Sequence, residues 1–449
     1  MTTHVYSPTF PKHLLMTRPF LACASLFAVM SLRAQVNTDC ANQIAGQNCG
    51  LSLNTITTAV PFLMISPDSR AGGMGDAGVA VSPDANAIHW NPSKLAFAED
   101  EMQFNISYSP WLRNLVPDMN LAYLSVYRKL GNKRSTIGAS LRYFSLGSIT
   151  FTDERGTILR DFTPKEFAVD VAFAQQFSDV FSGGIAIRYI NSNLTGGISV
   201  QGADSKAGQS VAADVSFFYH KKDLQIGDKD GEFNFGLNVS NIGAKMRYTE
   251  TSETDFIPIN LRLGPCIKVD LDEYNSVAFN VDFNKLLVPT PPVYLQEPDS
   301  LGVLRPAKDD DGNYIVASGQ DPNVGVATGI FGSFSDAPGI VTYDDDGNAV
   351  VESGSRTKEE LNEINIAGGL EYWYAKQFAF RAGYFWEHAT KGNRKYFTLG
   401  AGLRYNVFAI DLSYLIANSQ QSPLANTLRF TLGFNFASLK AKKKSTDEG

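Results

Sequence analysis

From residue 102 onward, the chain alternates apolar residues with polar or small ones. The clearest examples are 102–108, 167–173, 211–219, 233–239 and 428–436. Successive side chains of a β-strand point to opposite faces, so each segment predicts a strand with one apolar and one polar face. In a soluble sandwich the apolar face points inward. In an outer-membrane barrel it points at lipid, and the lumen is polar.

Fourteen such strands are predicted within residues 101–437. Most approach the ~9–11 residues that a tilted membrane strand needs. They are 102–109, 119–129, 135–145, 166–176, 180–193, 210–220, 232–243, 257–271, 275–285, 364–374, 378–388, 395–406, 408–417 and 427–436. Past the N-terminus no continuous apolar run reaches the ~18 residues of a membrane helix. The prediction is an all-β membrane protein, a 14-stranded antiparallel outer-membrane β-barrel.

Longer and shorter connections alternate between these strands. Outer-membrane barrels have short periplasmic turns and long outer loops. We therefore expect a multi-pass protein of the cell outer membrane with its long loops extracellular, above all 286–363. Two connections fit less well, since 221–231 is longer and 389–394 shorter than this rule predicts. The segment Ser148 to Thr152 is treated as an outward extension of the wall, because counting it as a strand breaks the alternation.

Seven aromatic residues lie near predicted strand ends, which suits aromatic girdles at the two membrane interfaces. Ordinary core aromatics are the alternative. The seven are Tyr108, Trp111, Trp373, Tyr374, Tyr384, Trp386 and Tyr405.

The N-terminus reads as a signal peptide over residues 1–34, with an apolar run from Pro19 to Leu32 and a small residue, Ala34, at the cleavage point. A membrane anchor is the alternative, but the run is too short to span a bilayer. An exported protein permits a disulfide between Cys40 and Cys49. Cys266 falls in a predicted strand, where burial is the simplest interpretation. Residues 438–449 form a polar C-terminal tail.

The stretch from Pro61 to Pro92 is rich in Gly, Ala, Ser and Asp and has no sustained period. Gly73, Gly75 and Gly78 fit the dinucleotide fingerprint G-x-G-x-x-G. That fingerprint needs a helix opening at the glycines and a parallel βαβ unit, and neither pattern is present. We expect residues 35–100 to hold a hatch that lies inside the barrel, with these glycines serving tight backbone packing.

The connection 286–363 is far longer than the ~15 residues above which loops are usually functional or disordered. It carries two Asp-Gly turns between β-prone runs, which predict one or two hairpins, and a helical turn near 357–364. The acidic spacing is similar to that of a calcium loop, but the glycine is misplaced and no glutamate closes it, so solvated turns are favoured. The candidate partner-docking residues are Asp309, Asp311, Tyr314, Tyr343, Asp344 and Asp346.

The sequence favours a non-enzymatic protein without cofactor or metal. It has no nucleophile elbow or phosphate-binding loop. The one pair that merits a test for lipid hydrolysis is Glu387 with His388, and structural roles are the alternative. A net charge of −7 argues against nucleic acid as a partner.

The opening stretch resembles the hatch of the fatty-acid-transporter (FadL-like) outer-membrane barrels. The residues that carry the likeness are Pro67, Asp68, Arg70, Gly73, Gly75, Asp76, Asn91 and Pro92, with Ser93 in place of the family's usual alanine. More closely, the chain looks like the PorV family of the type IX secretion system, beginning near Asn54.

The resemblance implies a translocon partner that takes the C-terminal domains of exported cargo and delivers them to the surface attachment complex. Transport of a hydrophobic small molecule, as in the FadL-like barrels, is the alternative. It needs an apolar pocket and a kink in the wall, for which Gly183 and Gly184 are the candidates.

Overall fold

The computed structural model describes residues 53–113, 115–116, 118–152, 155–197, 199–200, 203–249, 254–298, 304–343, 349–419 and 422–436. The predicted signal peptide, the Cys40–Cys49 disulfide and the polar tail lie outside these residues, as do Asp344 and Asp346. Within the described ranges, no helix is both long and apolar enough to cross a membrane.

Fourteen strands pair antiparallel in chain order, and the last pairs with the first to close a barrel. This confirms the predicted fold class. The strands are β1 Met102–Pro110, β2 Met119–Lys129, β3 Ser135–Leu146, β4 Lys165–Gln176, β5 Phe181–Asn193, β6 Gly208–Ile226, β7 Lys229–Gly243, β8 Asn260–Asp270, β9 Asn275–Leu286, β10 Asn365–Tyr374, β11 Phe378–Trp386, β12 Lys395–Tyr405, β13 Phe408–Ala417 and β14 Thr427–Asn435.

The apolar face of each strand points out of the barrel. In β4, Val171 is 62% exposed while its neighbours Asp170 and Ala172 are buried. The same alternation recurs in β1, where Ile106 is exposed and Ser107 is buried. A polar interior under an apolar outer surface is the arrangement of an outer-membrane barrel, so the structure decides the choice that periodicity left open.

Connections of two lengths separate the strands and define the two ends of the barrel. At the short-turn end the longest connection is 130–134. At the long-loop end the connections are longer, from eight residues at 111–118 up to the entire segment 287–364. The link 221–231 is no exception, because β6 and β7 extend to a turn at Gly227 and Asp228. The prediction of a long connection there was wrong.

Short helices and two-stranded hairpins lie before the wall and in its long connections. The helices are α1 Ser69–Gly72 and α2 Ala87–Trp90 before the wall, and α3 Val326–Gly332 and α4 Ser355–Asn362 in the 287–364 connection. Two 3-10 helices lie at Pro61–Met64 and Pro92–Phe97. The two-stranded hairpins pair Ile149–Thr152 with Ile158–Phe162, Ser199–Val200 with Ala203–Asp204, Val293–Tyr294 with Val316–Ser318, Gln296–Pro298 with Leu304–Pro306, and Val341–Tyr343 with Ala349–Val351.

The kink expected at Gly183 and Gly184 is absent from the wall. Gly183 and Gly184 pair regularly with Phe217 and Ser216, so they form no bulge. A shift of register lies instead between β6 and β7, beside Asn241.

Among the aromatic residues proposed as girdles, Tyr374 and Tyr405 are exposed on the outer face. Trp373 points inward, because Arg404 of the lumen lies 4.3 Å from its ring centre. Trp111 also faces inward, toward Arg429, whose guanidinium carbon lies 6.0 Å from its ring centre. Neither tryptophan is a girdle residue.

Candidate functional site

The residues before the wall, 53–98, form what we call the inner segment. Most of its side chains from Ala59 onward are buried, and it bonds to inward-facing side chains on many strands around the barrel. Its side-chain partners include Gln103, Ser125, Thr136, Arg142, Ser182, Ser216, Asn238, Asp282, Glu371, Thr398 and Thr431. These contacts place the inner segment in the lumen.

Capping residues shape the inner segment. Asp68 precedes α1 and accepts a hydrogen bond from the Ala71 backbone nitrogen at 3.0 Å, the role of an N-cap. Its second oxygen accepts from the Trp90 indole at 2.6 Å. Asn91 caps the next 3-10 helix by accepting from Ser93, and Pro92 occupies that helix's first position. Several residues of the family motif therefore set the local fold.

Arg70 ties this segment to the wall through a chain of buried charges. Its guanidinium contacts both oxygens of Glu371 at 2.9 Å and Asp84 at 3.1 Å. Glu371 also accepts from Arg381 at 2.8 Å, and Arg381 pairs with Asp411 at 2.6 Å. Because each carboxylate lies beside a guanidinium, the charges are compensated although they are removed from bulk water.

Asp76 makes a second link, on the β12–β14 side of the barrel. Its carboxylate accepts from Arg429 at 2.5 Å and from the Tyr396 hydroxyl at 2.6 Å. Gly75, with a φ of 71°, lies so close to the wall that a β-carbon would be 2.7 Å from backbone atoms of Tyr384. Gly73 and Gly75 thus allow close backbone contact with the wall, whereas a β-carbon at Gly78 would meet the Trp90 ring of the inner segment itself.

An apolar layer closes the inner segment at the long-loop end. Phe62 and Leu63 pack in one cluster with Leu121, Phe144 and Ile190 of the wall, all of them near the long-loop ends of their strands. Phe62 stacks on Phe144 with ring centres 6.2 Å apart. The charged links and the apolar layer together hold this segment against the inner face of the wall.

Sequence reasoning missed a cluster of charges on the wall itself. Arg188 of β5 reaches Asp170 of β4 at 2.5 Å and Asp214 of β6 at 3.1 Å, and it also contacts Asn241. The signal was present, because each charge occupies an inward position of an alternating strand. Such positions are where a barrel tolerates charge.

In the 287–364 connection, α4 is bound to the rim by ion pairs. Lys285 at the end of β9 contacts Glu360 at 3.1 Å and Glu363 at 2.5 Å. Lys391, from the 387–394 connection, contacts Glu359 at 2.7 Å and Glu363 at 3.0 Å. We call the connection held in this way the platform. It is folded against the barrel rather than trailing from it.

A buried carboxyl group, that of Asp336, lies within the platform. Asp336 accepts from the Thr290 backbone nitrogen at 3.1 Å, and the Thr290 hydroxyl donates to Glu363 at 2.7 Å. Burial, with the nearby carboxylates of Glu360 and Glu363, raises the pKa of Asp336 to about 6. The pKa of this group therefore lies well above that of an aspartate in open solvent.

The acidic turn of the platform is a structural turn. Asp309 accepts from the backbone nitrogens of Asp311 at 3.0 Å and Asn313 at 2.8 Å, and these bonds lower its pKa. Tyr314 is 51% exposed beside Lys308, whose ammonium lies 4.7 Å from its ring centre. Within the described ranges, no group of three or more His, Cys, Asp or Glu side chains is placed to hold a metal.

The Tyr343 side chain, with Asp344 and Asp346, lies outside the described residues, so the second acidic turn stays a prediction.

Glu387 and His388 contact different partners. Glu387 is buried and binds Arg394 at 2.7 and 2.8 Å. His388 Nδ1 lies 2.9 Å from the Thr390 hydroxyl. Each side chain thus has a structural role. Cys266 is a free, buried thiol that packs against Met74 of the inner segment, consistent with the burial that the sequence predicted.

Among solved structures, the chain resembles the toluene transporter TbuX of Ralstonia pickettii, at 11% identity over 82% of this chain and 98% of that one, with a TM-score of 0.40. It also resembles a FadL homologue of Pseudomonas aeruginosa, at 12% identity over 86% of this chain and 100% of that one, with a TM-score of 0.39. The fold itself stands on the strand pairing given above.

Comparison with curated proteins finds no match. The sequence profile described as "Type IX secretion system protein PorV" matches residues 49–293, which is more than half of the 449-residue chain. The matched region contains the whole inner segment, 53–98, and strands β1 to β9. The chain belongs to the PorV family of outer-membrane components of the type IX secretion system.

Proposed function

We propose that this protein binds the C-terminal domain of secreted cargo beside the type IX translocon and carries it to the surface attachment complex, without catalysing a reaction. Family membership supports a role in this secretion system. The observation that carries the proposal is the platform, an ordered structure bound to the rim by Lys285 and Lys391. Such a structure suits the binding of another protein.

The inner segment held in the lumen supports a binding role over a conducting one. Arg70 and Asp76 bind the inner segment to the wall, and Phe62 lies in the apolar layer at the long-loop end. The inner segment thus acts as a hatch, and the barrel serves as a membrane scaffold. Outer-membrane barrels carry their long loops outside the cell, so the platform faces the emerging cargo.

The surface of the platform has the composition of a protein interface. Exposed apolar side chains include Tyr314 at 51%, Phe331 at 79%, Ile340 at 49% and Val350 at 46%. Aromatic residues are enriched at interfaces. The two-stranded hairpins of the platform also offer strand edges to which a partner can add a strand by β-augmentation.

The platform is also strongly acidic. Residues 287–364 contain 14 Asp and Glu against 4 Lys and Arg, a net charge of −10, whereas the whole chain carries −7. A field of one sign steers an oppositely charged partner and makes association sensitive to salt. We therefore expect a basic surface on the partner and weaker capture at higher ionic strength.

The test is recovery of partners from native membranes with a tagged protein. The variant combines Tyr314→Ala with Phe331→Ala on the platform. The control combines Leu115→Ala with Ile158→Ala, which are 65% and 68% exposed in two other connections at the long-loop end.

We expect the control to recover the translocon barrel and cargo as the parent does, and the platform variant to lose cargo. Heat-modifiable migration in gels verifies that both variants keep a folded barrel. Equal recovery of cargo by the two variants would exclude the platform as the docking surface. Loss of cargo with retention of the translocon assigns these side chains to cargo.

Transport of a hydrophobic molecule, the alternative considered from sequence, relied on a kink at Gly183 and Gly184. Both residues pair regularly. Gly184 instead faces the inner segment, where a β-carbon would lie 2.5 Å from the Ser93 nitrogen. Gly184 therefore makes room for the inner segment, and the kink proposed at these two glycines is absent.

A further inference from the structure

An apolar cleft of about 260 Å³ lies where the platform meets the outer surface of the wall. One side is formed by β8 and β9. The other side is formed by α4 and by Phe334, which lies in the loop after α3. Its apolar lining consists of Leu261, Leu263, Phe283, Phe334, Leu361 and Ile364.

The wall side of the cleft belongs to the lipid-facing surface. Leu261 and Leu263 alternate with the buried Arg262, which points into the lumen and contacts Asn284 of β9 at 2.7 Å. The two leucines therefore point outward. Leu263 is opposite Phe283 in the register, and Phe283 is itself 38% exposed.

The lipid-facing surface continues without a break toward the middle of the barrel. Further along the same two strands, Phe279 is 49% and Ile267 is 42% exposed, and these two residues are also opposite each other. The cleft is thus the upper end of a surface that the bilayer covers.

The position of Lys285 indicates how deep in the membrane the cleft lies. Lys285 is opposite Leu261 and points outward, and its ammonium is covered by Glu360 and Glu363. A charge on the lipid face is tolerated near the interface and costly at mid-membrane. The cleft therefore begins at the boundary of the hydrocarbon layer and extends into it.

The platform side leaves apolar surface uncovered. Phe334 is 51% and Leu361 is 63% exposed, although both line the cleft. Water is a poor occupant, because a cleft lined with apolar side chains offers it few hydrogen-bond partners. At this depth the material next to the cleft is lipid.

We propose that the cleft binds one acyl chain of a bilayer lipid from the leaflet at the long-loop end. The chain lies between α4 and the wall, where it covers Phe334 and Leu361. The lipid thereby holds the platform at a fixed height above the membrane, independently of any cargo.

Quenching by brominated lipid tests this directly. The probe is the added tryptophan fluorescence of a Phe334→Trp variant in phosphatidylcholine vesicles whose acyl chains carry bromine near the headgroup. Its signal is measured as the difference from the parent protein. Phe279→Trp, on the lipid face, is the positive reference. Phe331→Trp is the matched control, since Phe331 lies three residues before Phe334 at the end of α3, is 79% exposed and does not line the cleft.

We expect the Phe334→Trp signal to lose fluorescence to about the same extent as that of Phe279→Trp, and the Phe331→Trp signal to lose much less. Adding Leu361→Arg, which places a charge at the mouth of the cleft, should restore the Phe334→Trp fluorescence. Leu361 is exposed, so this change leaves the fold intact.

Equal quenching of the Phe334→Trp and Phe331→Trp signals would overturn the proposal. Quenching by a brominated free fatty acid but not by the brominated lipid would also overturn it, because the occupant would then be a soluble ligand. So would a Phe334→Trp signal that responds only when other membrane proteins are present, since the cleft would then be a protein contact.

Discussion

Replacing Gly383 by alanine tests how tightly the inner segment fits the wall. Gly383 lies in β11, opposite Gly369 of β10. A β-carbon at this position would lie 2.1 Å from both the Gly75 nitrogen and the Met74 carbonyl carbon. Ordinary contacts of a β-carbon begin at 3.4 Å, so the inner segment would have to move by more than an ångström. Both clashing atoms belong to the backbone and have no rotamer to change.

Overpacking of a tight interior costs ~1–3 kcal/mol. Alanine also narrows the unfolded ensemble, which stabilises the folded state by ~0.4–1 kcal/mol where the native backbone accepts it. The strand backbone at Gly383 has no positive φ, so this gain applies. We expect a net loss near the upper part of the overpacking range. A shift there also disturbs the Gly75–Thr398 hydrogen bond of 2.8 Å and the Asp76–Arg429 ion pair.

The matched control is Gly368→Ala. Gly368 lies in the neighbouring strand, and a β-carbon there would meet no heavy atom within 4 Å. Urea unfolding in detergent micelles, followed by tryptophan fluorescence and gel migration, should give a lower midpoint for Gly383→Ala and an equal or higher one for Gly368→Ala. Planar-bilayer conductance should rise for Gly383→Ala alone if the segment is displaced. Indistinguishable midpoints and conductances for the two variants would refute the close fit.

Further substitutions test other parts of the structure. Arg70→Met should lower the free energy of unfolding by ~3–5 kcal/mol because it leaves a buried carboxylate short of a partner, and in a double-mutant cycle with Glu371→Gln the two effects should not add. Val171→Arg should cost ~2–4 kcal/mol in a bilayer, while Val171→Ala should cost little; similar values for both would contradict the lipid-facing assignment. Asp336, with its pKa raised from 3.8 to about 6, keeps a proton in the folded platform that the unfolded chain has released, so its contribution to platform stability falls as the pH rises through this window. The proteolytic half-life of Asp336→Asn relative to the parent should therefore increase between pH 5 and pH 8, and a constant ratio would show that burial of this carboxyl has no such effect.

Periodicity located the strands of the wall and separated the two faces of each. In 167–173 a period of two identifies β4 and its apolar face, because successive side chains of a strand point to opposite sides, and the exposure of Val171 in the structure shows that this face points outward. The same rule failed beyond Lys221, where β6 continues to Ile226 as a polar hairpin arm. Both faces of that arm meet solvent, so no apolar pattern marks it.

The sequence indicated which residues belong to the site, but it did not indicate which of them contact each other. Asp68 and Asn91 act locally as caps, within reach of sequence reasoning. Arg70 and Glu371, in contrast, are separated by 301 positions, and no pattern in the sequence pairs them. The role of a motif glycine such as Gly75 could not be predicted either. It depends on how closely the backbone of β11 approaches this position and so leaves no room for a side chain.

The order of residues alone predicted 14 strands, the division of each strand into an apolar and a polar face, and a glycine-rich segment before them. These features follow from the spacing of residues that are close together in the sequence. Tertiary structure alone decided that Arg70, Asp76 and Phe62 bind that segment within the lumen. It also decided that Lys285 and Lys391 hold α4 on the rim. These contacts depend on the folded barrel, because it brings together residues that lie from 32 positions apart, for Lys391 and Glu359, to 353 positions apart, for Asp76 and Arg429.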